Sequence, residues 1–351
     1  MTLTVSVVST ARTLSRPARN ARAQWSARES CIITLESDSG VHGRGEAAPL
    51  PGFSVDSRED CESALRALDL EGMAEQLEPG QDLIGELGRA SLRLPPHLPA
   101  ARAALESALL ELWARAAGVP AWRLLLPGTA LPKSRAVACL LSGEPEQALT
   151  QALAARERGI TSFKFKIGRP GALERELAAV QTLRVELGPS CRLRLDANQA
   201  LSVADARQYL PRFAACELEF IEEPCAPRDL TELRELRLPY ALDESLAAGA
   251  RPRPNDAAVI LKPTLVGGVS VCFALAQAAQ VVGAQVVLSH AFEGPLGLAL
   301  SAALALSIGS ETTAHGLDLE GARLEHLNLP FFSGSDISYW NEPGFGLSEQ
   351  S

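Results

Sequence analysis

A chain of 351 residues that is 46% hydrophobic and 21% charged has material for one large domain and a smaller one beside it. A net charge of −9 without any Lys/Arg-rich run argues against a nucleic-acid partner. Charges, Gly or Pro interrupt every apolar stretch before it reaches membrane-spanning length.

Residues 1–8 alternate like a strand and lack the basic start, apolar core and cleavage site of a secretory leader, which predicts a cytoplasmic protein. Seven cysteines, odd in number, scattered and without a CxxC pair, predict reduced structural thiols rather than zinc ligands or disulfides. Cys225 lies nearest the polar residues discussed below and is read as packing.

In chain order, residues 5–8, 31–36 and 41–45 read as antiparallel strands, the last two joined by the turn chemistry of Ser37-Asp38-Ser39-Gly40. A Gly/Pro-punctuated loop follows, ending Pro49-Leu50-Pro51-Gly52-Phe53-Ser54, and then helical segments over 57–75 and 80–90. These make an α+β module over residues 1–99. Pro95-Pro96-His97-Leu98-Pro99 marks the boundary, and an Ala/Leu/Glu/Arg helix over 100–117 ends at Gly118 and Pro120. Residues 137–141 predict the first strand of a barrel, 146–158 its helix, and 162–167 the second strand. Further short apolar runs follow, each ended by a polar group and a turn former: Arg194-Leu195-Asp196-Ala197-Asn198, Phe220-Ile221-Glu222-Glu223-Pro224, Ala241-Leu242-Asp243-Glu244-Ser245, Ile260-Leu261-Lys262-Pro263 and Val287-Leu288-Ser289-His290. Roughly twenty residues separate one run from the next, room for a helix and two loops, which is the rhythm of βα units in a parallel barrel. His315-Gly316-Leu317-Asp318 predicts the eighth strand. The barrel is thus expected over 100–318, with a loop-rich segment over 319–351 packing back on the first module.

In such a barrel the C-terminal strand ends share one face, so the polar residues should converge. Three carboxylates placed together repel unless a divalent cation sits between them, and an all-oxygen set suits Mg²⁺ or Mn²⁺. A single Asp in a βα loop serves equally well as a helix N-cap. Three acids on consecutive strands favour the cation. Lys164 and Lys166 alternate with phenylalanines, which predicts that both ammonium groups face inward, an exposed edge strand with two solvated lysines being the other reading. Burial and a like charge disfavour protonation, which would make one of them a general base. Lys262 comes from across the barrel, and a structural ion pair to Asp243 or Glu222 is its other reading. A cation with a lysine base fits removal of a proton α to a carboxylate. A binding or structural barrel would have no use for an inward lysine pair facing three acids.

This set of residues resembles the enolase superfamily in its muconate-lactonizing branch, over nearly the whole chain. The resemblance implies an α/β fold, a modified (β/α)₇β TIM-like barrel with an α+β capping domain. Within the branch, Gly45-Glu46-Ala47-Ala48-Pro49-Leu50-Pro51-Gly52-Phe53-Ser54 and Leu261-Lys262-Pro263-Thr264-Leu265-Val266-Gly267-Gly268 are similar to the o-succinylbenzoate synthase family. Arg192-Leu193-Arg194-Leu195-Asp196-Ala197-Asn198 and Glu222-Glu223-Pro224-Cys225 are similar to it as well. The resemblance implies Asp196, Glu222 and Asp243 as Mg²⁺ ligands and Lys166 as the acid/base. It implies Lys262 as the opposed lysine that stabilises an enediolate, and Lys164 as its helper at the substrate carboxylate. The loop from Pro49 to Ser54, with Pro51, Gly52, Phe53 and Ser54, would close over a small carboxylate substrate, and the stretch from Ser289 to Gly294, with Ser289, Glu293 and Gly294, would contact its succinyl end, with Asn198 also at the substrate. One stretch departs from the pattern: where the family usually carries a run of serines followed by Glu-Ser, this chain reads Ser289-His290-Ala291-Phe292-Glu293-Gly294. The implied reaction is Mg²⁺-assisted dehydration. N-acylamino acid racemisation or dipeptide epimerisation on the same fold is the alternative.

Overall fold

The structure is a computed structural model that describes residues 3–19, 23–70, 82–126, 128, 131–324 and 326–348. Its first unit is an antiparallel sheet of β1 (Leu3–Arg19), β2 (Gln24–Ser37) and β3 (His42–Ala47), in that spatial order. β1 and β2 run far beyond their apolar runs, pairing from Leu3↔Ser37 to Arg19↔Gln24 with a register shift between Thr13 and Ala18. The outer half of this ladder is mostly polar and buries only isolated side chains, among them Leu14, Ala18 and Trp25, so local hydrophobic patterning stops short of its length. α1 (Arg58–Arg66) starts where the Ser57 hydroxyl accepts the Asp60 N–H, and α2 is Leu83–Ser91. The helix expected over 57–75 therefore ends at Arg66, and the 80–90 helix starts within the described residues at Leu83. Residues 71–81 lie outside the described residues.

α3 (Pro99–Ala116) is buried along almost its whole length. It lies across β3, and the contact requires glycine. A Cβ at Gly43 would stand 2.1 Å from the Ala108 carbonyl oxygen, and one at Gly45 1.9 Å from that of Ala104. The helix that the sequence boundary at 99/100 assigned to the barrel thus packs on the cap sheet. Gly45→Ala is expected to cost about 3 kcal/mol, because backbone rather than a flexible side chain must move. Urea denaturation would show a lower midpoint; an unchanged midpoint would contradict this packing.

The larger unit begins with α4 (Ala121–Leu125), β4 (Arg135–Ala136), β5 (Ala138–Leu141) and α5 (Ala148–Glu157). Then come β6 (Ser162–Lys166), α6 (Leu173–Leu187), β7 (Arg192–Asp196), α7 (Val203–Ala214), β8 (Phe220–Glu222), α8 (Pro227–Leu233), β9 (Tyr240–Leu242) and α9 (Glu244–Ala247). β10 (Asp256–Leu261), α10 (Pro263–Val266), α11 (Val269–Val282), β11 (Gln285–Leu288) and α12 (Pro295–Ser307) complete the series. β5 to β11 form one parallel sheet in chain order. The expected eighth strand is reduced to two parallel bridges, Val137↔His315 and Ser289↔Gly316, which still carry the curled sheet from β11 back to its start. The His315 carbonyl accepts the Ala138 N–H at 2.7 Å and the Leu288 carbonyl accepts the Gly316 N–H at 2.8 Å. Inside, Phe220, Ala241, Ala258, Ile260 and Val287 form a separate buried cluster with the Arg194 guanidinium 4.6 Å over the Phe220 ring. That cluster fills the barrel interior with side chains, so it is a packed core rather than a pore.

After α13 (Leu319–Ala322), β12 (Phe332–Ser333) and β13 (Asp336–Ile337) pair antiparallel with each other and with β4. The tail then returns to the start of the barrel and to the cap. The Trp122 indole N–H donates to the Trp340 carbonyl at 2.9 Å, and the Arg44 guanidinium to that of Ser348 at 3.1 Å. All seven cysteines are unpaired and buried. Among the described residues no helix is long and apolar enough to cross a membrane.

Candidate active site

Parallel pairing sets the site. Register places Lys166 beside Asp196 and Asp196 beside Glu222, so one inward-facing row crosses β6, β7 and β8 at their C-terminal ends. Asp243 follows β9 and Lys262 follows β10. Alternation in β6 buries Phe163 and Phe165 on the helix side and leaves both lysines inside. Lys164 Nζ lies 3.0 Å from Glu222 Oε2 and 3.5 Å from Asp196 Oδ2. Lys166 Nζ lies 3.1 Å from Asp196 Oδ2 and 2.7 Å from Asn198 Oδ1. Across the barrel the Lys262 ammonium pairs with Asp243 and sits 5.4 Å from the centroid of the Phe53 ring.

The charges follow these contacts. Burial works against the Lys164 ammonium, yet Glu222, Asp196 and Asp243 outweigh it and raise its pKa above the ordinary lysine value. Lys262 is likewise raised, against burial, chiefly by Asp243. The charged form of Lys164, expected as the helper beside Lys166, is thus the one these carboxylates favour. Burial would raise Asp196, but Lys166 and Lys164 hold it below the usual carboxylate range. Burial pushes Glu222 up, with Lys164 opposing and Asp196 and Asp243 adding. Glu244 is raised by burial and by Asp243, and its Oε2 is buried without a hydrogen-bond partner.

Around this row lies a support shell. The Asn198 N–H donates to Asp196 Oδ1 at 3.0 Å and its amide to Glu244 Oε1 at 2.8 Å. Glu223, buried and turned away from its neighbour Glu222, accepts the N–H groups of Asp243 and Ser245 at 2.8 and 3.0 Å and also the Ser245 hydroxyl. It fixes where Asp243 points.

The cavity over this row is lined at its mouth by Trp25, Leu50, Phe53 and Phe292. Of the loop residues read as substrate contacts, Phe53, Asn198 and Ser289 line it. Pro51, Gly52, Ser54, Glu293 and Gly294 do not. Pro51 offers its carbonyl to the Trp25 indole N–H at 3.0 Å. Gly52, at φ +75°, lets the chain turn back, and the Ser54 hydroxyl closes that turn on the Leu50 N–H at 2.7 Å. Glu293 folds onto the Ala291 N–H at 2.6 Å, while the Gly294 N–H donates to Glu46 at 2.9 Å. These five build the walls from behind, presenting Phe53 and Phe292.

The donor set Asp196, Glu222 and Asp243, all oxygen and all buried, fits a hard divalent cation such as Mg²⁺. Here lysines occupy those oxygens, and among the described residues no three His, Cys, Asp or Glu side chains are grouped tightly enough to hold a metal ion.

A family model described as Mandelate racemase / muconate lactonizing enzyme, N-terminal domain, matches residues 2–125, and one described as Enolase C-terminal domain-like matches residues 147–348. The chain belongs to the enolase superfamily. Members of this superfamily are enzymes and typically use Mg²⁺. The o-succinylbenzoate synthase of Enterobacter sp. (strain 638) is 32% identical over 301 residues, covering 83% of this chain and 83% of that protein. The L-Ala-D/L-Glu epimerase of Bacillus subtilis (strain 168) is 26% identical over 356 residues, 95% of this chain and 93% of that one. Protein PHYLLO, chloroplastic, of Arabidopsis thaliana is 30% identical over 298 residues, yet this chain's match spans only 17% of its length. In fold, a dipeptide epimerase from Methylococcus capsulatus, complexed with Mg and the dipeptide L-Arg-D-Lys, agrees with a TM-score of 0.79 at 22% identity over 99% of both chains.

The 49–54 and 289–294 stretches expected at the substrate contribute Leu50, His290 and Phe292 to the cavity wall, where Trp25, Asp318 and Gly321 were not expected. His290 and Phe292 carried a signal, as departures from the serine run. Trp25 did not, since only the long β1–β2 ladder brings it to the barrel mouth.

Proposed function

We propose that this protein is an o-succinylbenzoate synthase that acts in the cytoplasm in menaquinone biosynthesis. It would convert 2-succinyl-6-hydroxy-2,4-cyclohexadiene-1-carboxylate to o-succinylbenzoate and water. The observation that carries the reading is a lysine pair and a row of buried carboxylates facing a single opposed lysine beneath an aromatic mouth. Lys166 takes the proton α to the carboxylate, and the resulting enediolate expels the ring hydroxyl, which leaves as water with the proton Lys166 returns. Proton and hydroxyl depart on the same face, so one lysine serves both transfers. Lys262 contributes positive charge from the opposite face, and Lys164 helps hold the carboxylate. Asp196, Glu222 and Asp243 would hold the divalent cation, which when bound would draw these carboxylates from the lysines and offset the anionic charge of the enediolate.

The second reading is racemisation or epimerisation of N-acylamino acids or dipeptides. It is favoured by Lys262 standing opposite Lys166, which makes proton return on the other face available, and by the similarity to an epimerase. Incubating the wild type and Mg²⁺ with the cyclohexadiene and, separately, with N-succinylamino acids in D₂O discriminates the two. We expect rapid dehydration and slower α-deuterium incorporation. Efficient racemisation with the cyclohexadiene untouched would transfer the assignment to the second reading, and no exchange with any substrate would leave the barrel non-catalytic.

A further inference from the structure

A base has to point at one carbon, and two contacts aim Lys166. Beyond Cε, a lysine Nζ has three positions for hydrogens or a lone pair. Asp196 Oδ2 takes one at 3.1 Å and Asn198 Oδ1 a second at 2.7 Å. One is left for the proton exchanged in the cavity that this lysine lines. Asp196 is itself a candidate cation ligand and lies 3.5 Å from Lys164 as well. Asn198 Oδ1 is the shorter contact and comes from outside the ligand row.

An asparagine amide has an acceptor end and a donor end. Turned round, it would face an ammonium donor to donor, or occupy the lone pair through which the lysine takes a proton. Glu244, the first residue of α9, decides which end faces Lys166. Its Oε1 accepts the Asn198 Nδ2–H at 2.8 Å, and a carboxylate offers acceptors only. The bridge thus runs from β6 through the turn after β7 to the helix after β9.

This contact is kept against two opposing effects. Glu244 Oε2 is buried without a hydrogen-bond partner among the described residues, and a buried polar atom left unpaired opposes folding. Asn198 and Gln199 both take left-handed backbone, at φ +44° and +61°, a conformation that persists only where its surroundings enforce it. Here the Asn198 N–H donates to Asp196 Oδ1 at 3.0 Å and the Gln199 N–H to the Glu223 carbonyl at 2.7 Å. The strained turn and the half-paired carboxylate meet at one amide, and that amide touches the base.

We propose that Glu244 is a positioning residue for Lys166: by holding the Asn198 amide with its oxygen toward Nζ, it aims the base at the α-proton. The proposal rests on Lys166 being the acid/base, in dehydration or in the second reading alike, and a spectroscopic signal from the lysine separates its failure from that of the dehydration reading.

The experiment compares Glu244→Gln with Glu244→Met in the whole chain, with Mg²⁺ present. Both variants lose the carboxylate, but only Gln keeps a carbonyl oxygen for the Asn198 amide, so a difference between them reports the hydrogen bond and not the charge. The chain has four lysines, Lys133, Lys164, Lys166 and Lys262. In protein labelled with ¹⁵N-lysine, the Lys166 Nζ signal is therefore identified as the one missing from Lys166→Ala. It is expected to shift in Glu244→Met and to stay near its wild-type position in Glu244→Gln. In turnover of the cyclohexadiene, Glu244→Met should lower kcat by roughly tenfold to a hundredfold, the scale of a misplaced catalytic group, with KM little changed. Glu244→Gln should recover most of that loss. A signal or a kcat unchanged in Glu244→Met overturns the proposal, and equal changes in both variants assign the effect to charge and overturn it too. A wild type that leaves the cyclohexadiene untouched ends the dehydration reading, and α-proton exchange of N-succinylamino acid enantiomers then replaces turnover. Slowing confined to the enantiomer that still exchanges in Lys262→Arg supports the proposal, whereas equal slowing of both enantiomers overturns it. Without activity on either substrate class, the Nζ signal alone decides.

Discussion

Lys166→Ala is expected to lose dehydration of the cyclohexadiene by at least 10²- to 10⁴-fold, the usual contribution of a positioned acid/base, and to lose all α-proton exchange. The side chain lies 3.1 Å from Asp196 and 2.7 Å from Asn198, anchored on β6 between Phe165 and the following turn, so truncation removes the base without touching the barrel's outer packing. Lys262→Ala should lower dehydration by about 10²- to 10³-fold, by analogy with a lost oxyanion donor, because the enediolate goes without its opposed charge. Lys262→Arg separates the two readings. A guanidinium keeps the charge but is a very poor base, so dehydration survives in part while any racemisation disappears. Turnover of both substrate classes and deuterium incorporation in the three variants supply the measurement. A Lys166→Ala enzyme that still washes out the α-proton would remove Lys166 from the base role.

Glu222→Gln is expected to weaken Mg²⁺ binding and abolish turnover while the fold, read by circular dichroism, survives. Glu222 is the middle member of the row, between Asp196 in register on β7 and Asp243 just past β9, so losing its charge removes the donor common to both neighbours. Asp196→Asn and Asp243→Asn should act in the same direction. Titration of the purified protein with Mg²⁺, monitored by calorimetry without substrate, reads binding directly. Stoichiometric binding with undiminished affinity in both Glu222→Gln and Asp196→Asn would sink the ligand assignment.

Much of the placement of the candidate residues was legible in the sequence because it depends on local alternation. Lys164 and Lys166 alternate with phenylalanines and so share one face of their strand, and an acid ending each apolar run lands on the C-terminal rim of a parallel barrel. The length of α3 was equally legible, since helix-forming residues between prolines and a terminal glycine bound it locally.

What the sequence could not determine depended on partners distant along the chain. The β1–β2 ladder is held by backbone pairing through a polar stretch without a hydrophobic signature, and it delivers Trp25 to the cavity mouth. The eighth strand shrinks to two bridges because its neighbours, not its own residues, close the ring. Pro51, Gly52, Ser54, Glu293 and Gly294 turn their polar groups to the backbone behind the wall, and only the tertiary structure shows which side of a loop meets a ligand. Folding also brings carboxylates within 3.0 and 3.5 Å of Lys164, contacts between distant strands that one-dimensional spacing does not show.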